Sequence, residues 1–364
     1  MVFEMKNFSK VICLAMVLFF PMVIMLDSTK IYAQSTNLEI IRLDRALDDI
    51  VPVSAHLEKL ADLVFLEGPV WDRKGGYLLF EDLANNTLYK WTADGKVFAF
   101  AKSIGFTRDM TAKQTQEVTS DVLNIKETNN GRWYGRIVGA AGTTIDPGGR
   151  LVVAQGGDRA VVRLEKDSKR TILADRYEGK RLNSQNDLVY KSDGALYFTD
   201  PSSSLTGGDS NPTKELPFNG VYLLKDGRLR VITKDYPKMP NGLAFTPDEK
   251  HIYLVDTAIE SVLIFDVLPD DTVANGRVFV DLRTDKTPRD PLSGLKVDRN
   301  GNLYATGPGG MWVVSPEGKH LGTIKAPTPF TNMAFGDADG KTLYITSRTG
   351  ELYRTRLKVE GIRP

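Results

Sequence analysis

From about residue 63 onward the chain alternates short apolar runs with tight polar turns, and one such unit returns six times. Each unit is an apolar strand, a turn rich in Asp and Gly, and a second apolar strand. The units open at Glu67 (EGPVWDRKGGYLLFED), Ala141 (AGTTIDPGGRLVVAQ), Asn186 (NDLVYKSDGALYFTD), Asn241 (NGLAFTPDEKHIYLVD), Ser293 (SGLKVDRNGNLYATG) and Thr331 (TNMAFGDADGKTLYITS). Turn pairs such as Asp193-Gly194, Asn300-Gly301 and Asp339-Gly340 are hairpin chemistry. Repeats of roughly 40 to 50 residues with about four strands are the signature of propeller blades, since one such sheet cannot bury both faces alone. The pattern predicts an all-β chain, a six-bladed β-propeller over 63–358 built around a central channel.

Two stretches fall outside the repeat. A polar insert, 104–136, separates the first two units, and a loop of that length in a compact domain is usually functional or disordered. Trp133, Tyr134 and Arg136 within it are candidates either to line a pocket or to anchor an exposed loop. Ahead of the repeats, Lys6 and Lys10 precede an apolar run from Val11 to Leu26, and Ala33 offers a cleavage position. This reads as an export signal over 1–33, too short for a comfortable membrane span, and it predicts a periplasmic or secreted protein with no span left after processing. The single cysteine, Cys13, lies inside it, so the mature chain is expected to carry no disulfide and no thiol site. Residues 34–62 form a lead-in segment in which Ser54 to Leu63 is expected as a short helix.

Charge narrows the partners. Lys plus Arg number 47 against 46 Asp plus Glu, a formal net charge of +1, which offers no field for nucleic acid. A small molecule is the expected ligand.

A propeller lines its channel with the first strand of every blade. The residues opening those strands therefore form a ring: Glu67, Ala141, Asn186, Asn241, Ser293 and Thr331. A lone Asn or Ser at a strand start usually bonds its own backbone. Recurrence at equivalent repeat positions argues instead for a shared site. Carboxylate, carboxamides and hydroxyl are oxygen ligands of the kind hard divalent cations take, so the channel is expected to bind metal. His56, His251 and His320 lie away from the ring, and no G-x-S-x-G elbow occurs, so neither an imidazole metal site nor a serine triad is expected. Asp82, Asp200 and Asp256, which end second strands, are expected to bond the backbone of neighbouring loops.

The stretches EGPVW from Glu67, RLNSQNDLVYKSDGALYFTDP from Arg181, PNGLAFTPDEKHIYLVDT from Pro240 and GLKVDRNGNLYATGPGGMWVVSPEGKHLG from Gly294 resemble the senescence marker protein / gluconolactonase / luciferin-regenerating family, over 63–356. The resemblance implies a metal-dependent hydrolase that opens a sugar lactone or related ester. Calcium is the ion it implies first, with magnesium, manganese or zinc as alternatives. It makes Glu67 and Asn241 metal ligands and puts Asn186 beside metal and substrate. The family's remaining ligand, an aspartate that is also the favoured general base, is Ser293 here, and Asp290 is the candidate to replace it. The expected metal set is thus Glu67, Asn186, Asn241 and Ser293, and the expected catalytic set Asn186, Ser293 and Asp290. Ala141 and Gly156 stand where relatives commonly carry asparagine and histidine, implying a wider or less polar pocket. The alternative is a propeller that binds a carbohydrate or other small molecule without hydrolysing it. Different chemistry on a similar scaffold, as in strictosidine synthase-like propellers, has no positive signal.

Overall fold

The computed structural model describes residues 34–37, 39–107, 139–284 and 292–362. Inner strands buried on both faces stack sheet against sheet, and the described residues form six such blades beside a two-stranded ribbon, Arg176–Tyr177 with Lys180–Arg181. Blade 1 runs Leu66–Asp72, Tyr77–Asp82, Thr87–Trp91 and Val97–Lys102. Blade 2 runs Thr143–Ile145, Leu151–Gln155, Ala160–Leu164 and Arg170–Ala174. Blade 3 runs Leu188–Tyr190, Leu196–Asp200, Gly220–Lys225 and Arg228–Thr233. Blade 4 runs Pro240–Phe245, His251–Asp256, Ser261–Val267 and Val273–Asp281. Blade 5 begins Leu295–Val297, Leu303–Gly307, Gly310–Val314 and His320–Lys325, and blade 6 begins Phe330–Gly336, Thr342–Ser347 and Glu351–Arg356. All strand pairs within blades are antiparallel.

The circle of blades is visible in its cores. Val70 and Leu79 of blade 1 cluster with Val153 of blade 2, and Val161 of blade 2 clusters with Phe198 and Tyr222 of blade 3. Tyr197 meets Phe245 between blades 3 and 4, and Tyr253 joins Trp312 between blades 4 and 5. Tyr304 packs on Phe335 between blades 5 and 6, and Trp71 of blade 1 stacks on Tyr344 of blade 6 with ring centroids 5.4 Å apart. Every blade thus covers its neighbours' apolar faces, and blade 6 closes onto blade 1.

Closure corrects one expectation. The stretch expected as a helix is the strand His56–Asp62, which pairs with Glu351–Arg356 as the fourth strand of blade 6. Its apolar positions, Leu57, Leu60 and Ala61, have helical spacing, which is why the sequence suggests a helix. A register shift opposite Leu352 and Tyr353 lets the strand bury all of them despite the broken alternation. Pairing also covers an edge that would otherwise expose its backbone. Further out, Gln34–Asn37 adds to blade 6 and Ile40–Arg42 to blade 5. The expected signal 1–33, most of the insert 104–136, and Asp290 lie outside the described residues.

Candidate metal and substrate site

Three aspartates at the ends of second strands hold the entry to three first strands. In blade 1, Asp82 accepts the backbone N–H groups of Val64 at 3.2 Å and Phe65 at 3.3 Å, just before Glu67. In blade 3, Asp200 accepts the Asn183 N–H at 2.9 Å and Gln185 Nε2 at 2.8 Å, just before Asn186. In blade 4, Asp256 accepts the Lys238 N–H at 2.6 Å and the Met239 N–H at 3.0 Å, just before Asn241. The backbone-bonding role expected for these aspartates is therefore what the structure shows. The same device fixes each of the strands that present Glu67, Asn186 and Asn241.

First-strand backbones then converge until side chains no longer fit between them. A Cβ on Gly68 would lie 2.3 Å from Ala141 O, and one on Gly242 2.6 Å from Ser293 O. Glycine follows the ring residue for that reason at these positions. Register shifts between Glu67 and Val70 and between Pro240 and Leu243 locally break the ladder, the kind of irregularity that re-aims a side chain.

At this level the Ser293 hydroxyl donates to Glu67 Oε1 at 2.8 Å and lies 3.4 Å from Asn241 Oδ1. Blades 1 and 5 are not neighbours, so the Ser293–Glu67 contact spans the channel itself. Ser293 is steadied by its backbone N–H, which donates to Thr306 Oγ1 at 2.8 Å. Asn241 Nδ2 leans on Thr257 Oγ1 at 3.4 Å, which directs Oδ1 to the ring. Asn186 is half-buried, its N–H donates to Thr199 O at 3.1 Å, and its carboxamide has no partner among the described residues. Glu67 Oε2 accepts the Gly68 N–H at 3.1 Å. Burial pushes the Glu67 carboxyl up to about 7, against the Ser293 and Gly68 hydrogen bonds, and the charge of Asp187 adds to the rise. Ala141 and Thr331, the other ring members, are buried, and Thr331 Oγ1 donates to Leu66 O at 2.5 Å and lies 2.9 Å from Thr346 Oγ1.

The donor set is all oxygen and contains a single carboxylate. Among the described residues no three His, Cys, Asp or Glu side chains gather as a metal cluster. Glu67, Asn241 and Ser293 nonetheless fit a hard cation that completes its shell with water or substrate oxygens.

Sequence reasoning missed the layer beneath. Where other blades place glycine after the ring residue, blades 3 and 6 carry Asp187 and Asn332, and Lys296 of blade 5 reaches both. A cavity of about 390 Å³ continues down the channel from there, walled by Pro69, Thr144, Leu188 and Ala244. The signal was present in the repeat alignment. Three residues after each ring position stand Val70, Thr144, Val189, Ala244, Lys296 and Ala334, and only one is charged.

Fold and site together define a six-bladed propeller with a cluster of polar side chains meeting on its axis. Comparison with known proteins refines the class: the family described as SMP-30/Gluconolactonase/LRE-like region matches residues 65–349, and the chain belongs to it. It is 34% identical to a gluconolactonase of Zymomonas mobilis, across 90% of this chain and 88% of that one. A solved gluconolactonase structure from Xanthomonas campestris superposes with a TM-score of 0.72 at 27% identity, covering 91% of this chain and 100% of the other. A calcium-binding regucalcin from Agrobacterium tumefaciens, 17% identical, shares the fold with a TM-score of 0.62 over 84% of this chain and 94% of its own.

Proposed function

We propose that this protein is a divalent-cation-dependent hydrolase that opens a sugar lactone or a related cyclic ester. The observation that carries the reading is the meeting of Glu67, Asn241 and Ser293 oxygens from blades 1, 4 and 5 across the channel. The gluconolactonase relatives support the substrate class. Glu67, Asn241 and Ser293, with Asn186 beside them, would hold the cation, with calcium as the first choice and magnesium, manganese or zinc to be compared. A cation bound there supplies Lewis acidity to a carbonyl oxygen and lowers the pKa of water.

The chain's own groups do the rest. Asn186, whose carboxamide is unpartnered among the described residues, is free to donate to a substrate oxygen. Ser293 holds Glu67 Oε1 by its hydroxyl proton and so orients the carboxylate. A serine hydroxyl does not take a proton near neutral pH without an activating partner, so Ser293 is a positioning group and not the base. Asp290 is the replacement base we propose, since it stands three residues before Ser293. The apolar leader and Ala33 support export to the periplasm or beyond, and the mature N-terminus read by mass spectrometry tests it.

The alternative, a propeller that binds a carbohydrate without hydrolysis, is favoured by the same Ser293, which leaves the described ring with one carboxylate. Proton release on a panel of sugar lactones, with each cation and with chelator, separates the two. Cation-dependent turnover establishes the hydrolase. Full activity in chelator overturns cation dependence, and ligand-induced thermal stabilisation with no turnover establishes the binding protein.

A further inference from the structure

Beneath the ring, Lys296 sends an ammonium group across the channel axis. Its neighbours Leu295 and Val297 are buried between blades, so alternation turns Lys296 inward. Nζ donates to Leu295 O at 3.0 Å and to Asn332 Oδ1 at 3.3 Å, and it lies 3.9 Å from Asp187 Oδ2. Asp187 is only 4% exposed. Its Oδ1 accepts the Leu188 N–H at 2.8 Å, while Oδ2 is buried with no hydrogen-bond partner. Blades 3, 5 and 6 thus direct a carboxylate oxygen, a backbone carbonyl and a carboxamide oxygen at one point, and a lysine fills it.

These acceptors are what a hard cation takes as ligands, and the cavity of about 390 Å³ below them has room for water to complete a coordination shell. An unpaired carboxylate so deeply buried is costly unless a positive charge stands near. We propose that Lys296 is a tethered cation occupying a second cation site of the channel, so that a side-chain ammonium stands where a free ion would otherwise bind. Removing it vacates a site made by Asp187 Oδ2, Asn332 Oδ1 and Leu295 O. The idea goes beyond the proposed hydrolase and does not require the ring above to be loaded.

The test counts ions. Calcium bound per chain is measured by equilibrium dialysis for the wild type, Lys296→Met and Lys296→Met/Asp187→Asn, with thermal unfolding followed in chelator and in millimolar calcium chloride. Lys296→Met is expected to bind one more calcium ion than the wild type and to show a larger calcium-dependent rise in Tm, and the double variant is expected to lose both gains. Equal stoichiometry in wild type and Lys296→Met overturns the proposal, as does an extra ion that survives Asp187→Asn. Should Lys296→Met not fold in either condition, Lys296→Gln carries the same comparison. A wild type that binds no calcium counts against the metal reading of the ring, while the difference between wild type and variant still decides the role of Lys296.

Discussion

At the scale of single residues, charge placement decides the behaviour of the axis. Ser293 stands where the family resemblance places an aspartate, and it supplies Glu67 with a proton donor instead of a second negative charge. Ser293→Asp is expected to raise calcium affinity at least about tenfold, the scale on which ligand-shell changes act, as read by isothermal titration calorimetry. Asp200 tests a different consequence of burial. Fully buried, its carboxyl is pushed up from 3.8 to about 7, although the Asn183 N–H, Arg159 and Gln185 favour the charged form. Between those values the folded chain keeps a proton that the unfolded chain has released. Stability from this group therefore falls as pH rises through that window, by at most about 1.4 kcal/mol per pH unit for one proton. Asp200→Asn is expected to flatten the dependence of Tm on pH from about 4 to about 7 in scanning calorimetry. Gln185 Oε1, buried without a partner, can turn to accept the new amide donor.

At the scale of elements, the aspartate clamps and the closing strand do the positioning. Asp256 gathers the N–H groups of Lys238, Met239 and Ala258 at 2.6, 3.0 and 3.1 Å, so its loss orphans donors on both sides of the blade 4 entry. Each such donor left buried costs about 1–3 kcal/mol. Asp256→Ala is expected to lower the urea-unfolding free energy by that order and to weaken calcium binding through a loosened Asn241. Unchanged calcium affinity in a destabilised variant would confine the clamp to a structural role. His56–Asp62 acts at longer range, since it finishes the sheet formed by the chain's last three strands.

At the scale of the whole molecule, the channel gathers the Glu67, Asn241 and Ser293 oxygens from blades that are remote in sequence, so a cation held there, as proposed, would tie the circle together. Binding to the folded chain alone stabilises it by about 2.7 kcal/mol when the free ion is at 100 times its Kd. Calcium is therefore expected to raise Tm and chelator to reverse the rise, both followed by differential scanning fluorimetry. A Tm indifferent to every divalent cation would argue against an axial metal. The near balance of 47 basic against 46 acidic residues leaves recognition to this local chemistry, not to an overall field.

The repeat itself was legible without coordinates, because two-residue alternation and Asp/Gly turns are local properties that each blade expresses alone. Glu67, Asn186, Asn241 and Ser293 could be aligned for the same reason, since each stands at the same place ahead of its unit's first apolar run, although the first strand starts just before Glu67 and Asn241 and just after Asn186 and Ser293. The clamps were half legible, since Asp82, Asp200 and Asp256 recur at strand ends, although their partners lie on another segment. Only the tertiary structure decided that His56–Asp62 is a strand, because its partner is 289 residues away at Glu351 (351 − 62) and its own spacing favours a helix. It alone also put Lys296 beside Asp187 and Asn332, since those contacts exist only once three separate blades have closed around one axis.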